Sequence, residues 1–267
     1  MATWRLIIDE PADGAWNMAV DRAILEAHEA GVAAPTLRLY RWDRPTVSLG
    51  RFQDVADVDR AYCDEHAIGL CRRPTGGRGV LHDDELTYAI VAGVRDGIPR
   101  GVTASYRILC GALAAAYRSL DVPAELTSRP RGHRASGACY LHATPADLSF
   151  GAAKLSGSAQ VWKGDSCLQH GSFVVSRDDV REAAVFGLET AESECLRATT
   201  ATIERVTGAR PEIEAVASAV CSAVAEVLDV RLEPGELTAC ERERASGLRE
   251  SFEVESRSTS GRNTGSV

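Results

Sequence analysis

The order of hydrophobic patterns along the chain constrains its fold more than any other sequence feature. Apolar residues recur at helical spacing over residues 15–30 and 103–120, and this spacing predicts two amphipathic helices. Between them, Leu37–Trp42 alternates strictly and Leu86–Val91 is a short apolar run, as expected for strands. From residue 178 onward the pattern is helical only. Strands and helices are therefore mixed first, and helices follow.

This order predicts an α+β fold with mixed or antiparallel sheets, packed helices and a small helical C-terminal region. The strands are not joined by simple β-helix-β units, which argues against a doubly wound parallel sheet. We expect residues 1–190 to form the main core and residues 191–254 to form the helical C-terminal region. Residues 255–267 are rich in Ser, Thr, Gly and Arg, and we expect a disordered tail there.

Charge and hydropathy exclude several classes of partner. The 267 residues include 30 Lys and Arg against 38 Asp and Glu, a formal net charge of −8. Nucleic-acid-binding proteins are usually basic, so we expect no nucleic-acid partner. No segment approaches the roughly 18 consecutive apolar residues of a membrane span, and the first residues lack a signal-peptide pattern. We therefore expect a cytoplasmic protein without a membrane partner, and the absence of a coiled-coil pattern favours a monomer.

Eight cysteines are scattered along the chain. An even number allows a disulfide framework, but such frameworks belong mainly to short secreted chains, so reduced thiols are the better interpretation. No Cys-x-x-Cys pair occurs, and we expect no metal site.

A glycine- and arginine-rich segment, Arg72–Asp83, lies between two predicted strands. Glycines without a Cβ let backbone amides approach a ligand, and arginines complement a carboxylate or a phosphate. The alternative is a glycine-rich turn with solvated arginines. The candidate binding residues here are Arg73, Thr75, Gly76, Gly77, Arg78 and His82.

Three further positions could carry chemistry. Lys154 lies among small residues, and its ammonium could reach into a cleft and hold a negative oxygen, or it could simply be an exposed lysine on a turn. Cys139 could be a nucleophile, although any one of eight cysteines is more often inert. His170 could act in acid-base chemistry, but a buried structural histidine is the favoured interpretation because no acidic partner can be named.

Four segments in one order carry a family resemblance: Arg72–Tyr88, Cys139-Tyr140, Lys154–Gln160 and Leu168–Ser172. Together with Asn17-Met18-Ala19-x-Asp21, they resemble the biotin/lipoate protein ligase family. Within that family they are most similar to the lipoate-protein ligase A-like octanoyltransferase branch, which uses a cysteine nucleophile. Several motifs in the same order are far more specific than one.

The resemblance implies a class II biotin/lipoyl synthetase-like core and a transferase reaction. An octanoyl group would pass from octanoyl-acyl carrier protein to a lysine of a lipoyl-accepting protein, such as a glycine-cleavage H-type carrier or a dehydrogenase E2. Cys139 would form the acyl-enzyme thioester, with Lys154 beside it. The resemblance also implies that Arg73–Arg78 and His82 line an acyl tunnel, and it adds Gly157, Ser158 and His170 to the substrate-binding residues.

The chemistry of acyl transfer can be argued separately. Exchange of one thioester for another is nearly isoenergetic, and transfer to an amine runs downhill to an amide, so neither step needs ATP or another cofactor. Lys154 would favour the thiolate and stabilise the oxyanion, and His82 or His170 could help to deprotonate the acceptor lysine.

Two alternatives remain open at this point. One is an ATP-dependent lipoate ligase, which would use ATP and Mg²⁺ and in which Cys139 would be incidental. The other is a non-catalytic binder of lipoyl domains or acyl chains. Glu85–Tyr88 is more typical of the transferases. The segment between Cys139 and Lys154 departs from the relatives, which could alter the preferred chain length or donor.

Overall fold

Helices enclose a six-stranded sheet on both faces, and two small sheets stand beside it. The structure is a computed structural model that describes residues 1–126, 137–139 and 147–254. The strands are β1 (Ala2–Ile8), β2 (Thr36–Tyr40), β3 (Thr46–Leu49), β4 (Gly69–Arg72), β5 (Val80–His82), β6 (Glu85–Gly93), β7 (Glu125–Leu126), β8 (Leu148–Phe150), β9 (Ala153–Ser156), β10 (Ser158–Lys163), β11 (Ser166–Val174) and β12 (Val230–Pro234). The α-helices are α1 (Gly14–Glu29), α2 (Arg60–Glu65), α3 (Val102–Ser119), α4 (Asp179–Val185), α5 (Thr190–Thr199), α6 (Ile203–Thr207), α7 (Ile213–Val227) and α8 (Ala239–Leu248).

The large sheet is mixed, with the strand order β10-β11-β6-β2-β1-β12. The pairs β10–β11, β11–β6 and β6–β2 are antiparallel, whereas β1 pairs in parallel with both β2 and β12. One small sheet has the order β4-β3-β5, and the other has the order β7-β8-β9. This mixed topology confirms the predicted fold class.

Strand β6 shows why the large sheet is covered on both faces. All nine of its residues are buried, and successive side chains of a strand point to opposite faces. Tyr88 and Ile90 join the core formed with α3 and α7. Ala89 and Val91 join the other core, which is formed with α1. A strand buried on both faces reads as a continuous apolar run, as this one does.

Helix α1 is amphipathic in an unusual way, because polar residues are buried on its inner face. Its first turn is capped by Asp13, whose side chain accepts from the backbone N–H of Trp16. Asn17 and Asp21 are fully buried and pair with the guanidinium of Arg38 on β2. A buried ion pair needs such additional hydrogen bonds to offset its desolvation. The helix is therefore fixed in rotation against the sheet.

The predicted helices over residues 15–30 and 103–120 and the predicted strands over 37–42 and 86–91 correspond to α1, α3, β2 and β6. The expectation of helices alone after residue 190 was wrong in one respect. Strand β12 lies within that region and pairs with β1, while α7 packs on α3. The short sequence Val-Arg-Leu-Glu-Pro becomes a strand only because the edge of β1 is available to it. The boundary at residue 190 stays a prediction. The predicted tail, residues 255–267, lies outside the described residues.

Within the described part of the chain, no helix is both long and apolar enough to cross a membrane.

Candidate active site

A cavity of about 170 Å³ opens between the large sheet and the two small sheets. An apolar cavity of about 150 Å³ is enough to hold a benzene molecule, so this one can accept several carbons of an alkyl chain. Its apolar wall is formed by Met18, Tyr40, Trp42, Val80 and Ala159. Its polar wall includes nine of the eleven residues predicted from the sequence, namely Arg73, Gly77, Arg78, His82, Cys139, Lys154, Gly157, Ser158 and His170.

The two remaining predicted residues, Thr75 and Gly76, hydrogen-bond to residues that line the cavity. The Thr75 side chain is fully buried and hydrogen-bonds His170, and the carbonyl of Gly76 accepts from the guanidinium of Arg73 at 2.8 Å. Both belong to the glycine–arginine loop, which we define as residues 73–79 between β4 and β5.

Arg73 holds this loop in shape. Its buried guanidinium donates to the carbonyls of Ser48, Gly76 and Arg78 at 2.8, 2.8 and 2.7 Å. Gly77 has a φ of +96°, and a Cβ there would lie 2.7 Å from Nη2 of Arg73. The loop therefore requires both the arginine and the glycine, and Arg73 uses most of its donors on the backbone.

Cys139 is attached to the glycine–arginine loop by backbone hydrogen bonds. Its N–H donates to the carbonyl of Gly79 at 2.8 Å, and the N–H of Gly79 donates to the carbonyl of Gly137 at 3.0 Å. Gln53 also donates to Gly137, at 2.9 Å. This pairing brings the thiol to the cavity. All eight cysteines lie in the described residues as free thiols, and of these Cys139 lines the cavity.

Lys154 brings its ammonium to the same place from β9. Nζ lies 3.6 Å from Sγ of Cys139 and 3.3 Å from the Cys139 carbonyl oxygen. Asp147 immediately precedes β8, the strand that pairs with β9, and its carboxylate lies 3.1 Å from Nζ. Burial by itself would lower the pKa of Lys154, but the neighbouring Cys139 and Asp147 outweigh it and hold that pKa above its ordinary value. The lysine is thus a buried cation beside a thiol.

Gly157 makes room for this pair. A Cβ at position 157 would lie 3.2 Å from both Cε and Nζ of Lys154 and 3.6 Å from Sγ of Cys139. The absence of a side chain at position 157 therefore has a steric role.

His170 is held between Asp21 and Thr75. Nδ1 lies 3.0 Å from the Asp21 carboxylate, and Nε2 lies 2.7 Å from Oγ1 of Thr75. Burial lowers the pKa of His170 despite the carboxylate. Burial opposes the charge of Asp21, but the His170 hydrogen bond and Arg38 outweigh it and lower the Asp21 pKa. A neutral imidazole therefore donates to an ionised carboxylate and accepts from the Thr75 hydroxyl.

His82 is held in a similar way by Glu85 and Ser48. Nδ1 lies 2.7 Å from the Glu85 carboxylate, and Nε2 lies 2.8 Å from Oγ of Ser48. The imidazole also stacks on Trp42, with ring centroids 4.1 Å apart. Both nitrogens of each cavity histidine are engaged by protein groups, which supports a positioning role for the two rings.

Three buried carboxylates hold side chains of the site and were not predicted as site residues from the sequence: Asp21, Glu85 and Asp147. Glu85 lies three positions from His82 on adjoining strands, so its pairing had a local signal. Asp21 lies 149 positions from His170. Its signals were its place in the Asn17–Asp21 motif and a carboxylate on the apolar face of a predicted helix, and neither pointed to His170. Asp147 had no signal beyond its place between Cys139 and Lys154.

Comparison with known proteins assigns the chain to a family. The lipoyl protein ligase A/B catalytic domain family matches residues 13–225, which is more than half of the chain, and the chain belongs to this family. The resemblance drawn from the motifs is thereby confirmed.

Two curated relatives are each named Octanoyltransferase LipM. The relative from Kyrpidia tusciae is 39% identical over 261 residues, covering 93% of this chain and 95% of its own length. The relative from Moorella thermoacetica is 38% identical over 262 residues, covering 94% and 95%.

Solved structures share the fold. Lipoate-protein ligase A bound with ATP superposes with a TM-score of 0.79 at 24% identity, covering 94% of this chain and 95% of that one. A bi-partite lipoate protein ligase from Thermoplasma acidophilum superposes with a TM-score of 0.80 at 24% identity, covering 94% and 93%.

Proposed function

We propose that this protein is an octanoyltransferase that moves the octanoyl group of octanoyl-acyl carrier protein to a lysine of a lipoyl domain. Cys139 carries the acyl group between the two partners. The observation that carries the proposal is the 3.6 Å approach of Sγ of Cys139 and Nζ of Lys154 on the wall of an apolar cavity. The names of the relatives, at 39% and 38% identity over nearly the whole chain, support the same activity.

In the first step, the Cys139 thiolate attacks the thioester carbonyl carbon of the donor. A carbon–sulfur bond forms to Cys139, the bond to the carrier's sulfur breaks, and the carrier leaves as a thiol after taking up a proton. The ammonium of Lys154 lies 3.6 Å from this sulfur and stabilises the oxyanion that forms during attack. One thioester replaces another, so the step needs no ATP.

In the second step, the neutral amine of the acceptor lysine attacks the same carbonyl carbon. A carbon–nitrogen bond forms, the bond to Sγ breaks, and Cys139 recovers its thiolate while the nitrogen gives up a proton. Formation of an amide from a thioester is downhill. Lys154 again faces the developing negative charge.

The remaining cavity residues bind and orient the acyl group. The apolar wall around Met18 and Trp42 takes the alkyl chain, since burial of each CH₂ contributes about 0.8 kcal/mol. The glycine–arginine loop, with His82, Gly157, Ser158 and His170, surrounds the carbonyl end. The acceptor is a lipoyl domain of the glycine-cleavage H-type or dehydrogenase E2 type, and the enzyme acts as a monomer in the cytoplasm.

The test is a transfer assay with purified octanoyl-acyl carrier protein and an apo lipoyl domain. We expect the lipoyl domain to gain one octanoyl group without ATP, and the Cys139→Ala variant to lose this activity while keeping its circular dichroism spectrum. The matched control is Cys240→Ala, which removes an exposed thiol. A requirement for ATP and free lipoate, with pyrophosphate release, would instead identify a ligase. Tight binding of the lipoyl domain without transfer would identify a binder.

A further inference from the structure

The position of Lys154 creates a chemical hazard for the proposed reaction. Nζ lies 3.6 Å from Sγ of Cys139, and the carbonyl carbon of an acyl-enzyme is bonded directly to that sulfur. A neutral amine so close would be near the attack distance of about 3–3.5 Å. Attack would give an amide on Lys154 from which the acyl group could not be released. An enzyme of this design must therefore keep its own lysine from reacting.

We infer that Asp147 is a positioning residue that keeps Lys154 protonated and thereby prevents transfer of the acyl group from Cys139 to Lys154. The inference rests on the proposed function, since it concerns the fate of its acyl-enzyme.

The hydrogen-bond geometry supports this role. An ammonium has three N–H donors and no lone pair with which to attack. Those of Lys154 have partners in the Asp147 carboxylate at 3.1 Å, the Cys139 carbonyl at 3.3 Å and Sγ of Cys139 at 3.6 Å. The carboxylate at 3.1 Å thus stabilises the ammonium form, which has no lone pair to direct at the neighbouring sulfur.

Burial makes the carboxylate effective. Asp147 is 2% exposed and Lys154 is 4% exposed, so solvent screens their attraction only weakly. Burial alone would favour the neutral amine, and the charges of Cys139 and Asp147 together overcome it to raise the pKa of Lys154. Once Cys139 is acylated its sulfur carries no charge. Asp147 then remains as a negative charge 3.1 Å from Nζ, and this charge favours the protonated lysine.

The reaction that Asp147 prevents is balanced without any co-reactant. The neutral Lys154 nitrogen would bond to the carbonyl carbon, and the bond from that carbon to Sγ would break. A proton from nitrogen would pass to the sulfur. The products would be an octanoyl amide on Lys154 and a free Cys139 thiol.

The experiment compares the wild-type protein with Asp147→Asn, which preserves the size of the side chain but removes its charge. Each is incubated with octanoyl-acyl carrier protein, denatured and treated with hydroxylamine, which cleaves thioesters and leaves amides intact. Lys154 and Lys163 are the only lysines in the sequence, so peptide mapping locates a resistant adduct without ambiguity. We expect a hydroxylamine-labile adduct on Cys139 of the wild type. We expect Asp147→Asn to accumulate a resistant adduct on Lys154, with progressive loss of activity.

Two control variants separate this role from a structural one. Glu29→Gln removes the carboxylate that pairs with Lys163 at 3.1 Å on the surface, and it should produce no resistant adduct. Adding Lys154→Arg to Asp147→Asn should abolish the adduct, because a guanidinium stays protonated. Asp147→Ser provides a second uncharged variant with the same readout if Asp147→Asn does not fold.

The possible results are distinguishable. Folded Asp147→Asn or Asp147→Ser protein that carries only the labile adduct, and turns over without progressive loss, would overturn the role of Asp147. Absence of any labile adduct on wild-type Cys139 would contradict the proposed function itself.

Discussion

The groups around Nζ of Lys154 allow this side chain to stay charged although it is buried. A cation buried alone would lose its proton or move toward solvent, but Asp147 lies 3.1 Å away and the Cys139 thiol lies 3.6 Å away. The motifs were sufficient to identify Cys139 and Lys154 as candidates. They could not identify Asp147, because its approach depends on the pairing of β8 with β9, whose register shifts next to Leu148.

The buried pair predicts a stability effect that is separable from activity. Lys154→Met leaves the Asp147 carboxylate buried without that cation, and we expect a loss of about 3–5 kcal/mol in the free energy of unfolding. Adding Asp147→Leu should restore most of it, since an apolar pair of similar volume often replaces a buried ion pair without loss. Urea denaturation measures both. A double variant less stable than Lys154→Met would contradict this account, and both variants should lack transferase activity.

Gly157 predicts an effect on rate with little effect on folding. In Gly157→Ala the new Cβ would crowd Nζ of Lys154 at 3.2 Å, so the ammonium must shift from its position beside the thiol. We expect kcat to fall by about 10- to 100-fold, since a displacement of about 1 Å can cost a factor of about 100. The matched control is Gly111→Ala in α3, where nothing lies within 4 Å of the new Cβ. Equal kcat values for the two variants would show that the crowding has no consequence.

Secondary-structure elements with a clear hydrophobic period could be predicted from the sequence. Helices α1 and α3 and strand β6 are examples, because each buries a regular set of side chains. Strands β1 and β12 escaped prediction as strands because their pairing is nonlocal: Ala2 lies opposite Val230 in a parallel register. Whether a short polar-apolar segment becomes a strand depends on an edge elsewhere in the chain, and sequence periodicity does not contain that information.

The contact between α1 and β11 is predicted to weaken in mild acid. Asp21 of α1 pairs with His170 of β11, and His28 of α1 pairs with Ser166 of β11 at 2.7 Å. Burial lowers the pKa of both histidines, although carboxylates oppose the effect. As the pH falls below about 6.5, the unfolded chain binds protons that the folded chain does not, so stability falls with pH until the folded pKa values are reached.

We expect the free energy of unfolding to decrease by up to about 1.4 kcal/mol per histidine for each pH unit in that window. Urea denaturation between about pH 7 and about pH 5 measures the slope. His28→Gln, which lies outside the cavity, should remove its share of the slope. A stability that is constant over this range, or that rises in acid, would rule out the buried neutral histidines.

At the scale of the whole molecule, backbone contacts connect the C-terminal region to the sheet and to the candidate site. Strand β12 extends the large sheet beside β1. The N–H of Ala201 donates to the carbonyl of Lys154 at 2.8 Å, so residues beyond 190 help to fix the strand that carries Lys154. The contribution of this region to the site becomes visible only in the assembled sheet.

Truncation tests this integration. A chain that ends at residue 229 lacks β12 and α8, and we expect it to lose cooperative thermal unfolding because β1 becomes an exposed edge and α1 loses its cover. A chain that ends at residue 254 serves as the control and should keep the wild-type Tm. If the shorter chain also kept the wild-type Tm, the region beyond residue 229 would be an independent appendage.

The most direct test follows the acyl group through a single turnover. Enzyme is mixed with labelled octanoyl-acyl carrier protein without ATP, the adduct is mapped by mass spectrometry, and an excess of apo lipoyl domain is then added. We predict that the label resides on Cys139 and moves to the lipoyl domain at a rate no slower than kcat. Label on a different residue, or transfer to the lipoyl domain that proceeds undiminished in Cys139→Ala, would contradict a route through this sulfur.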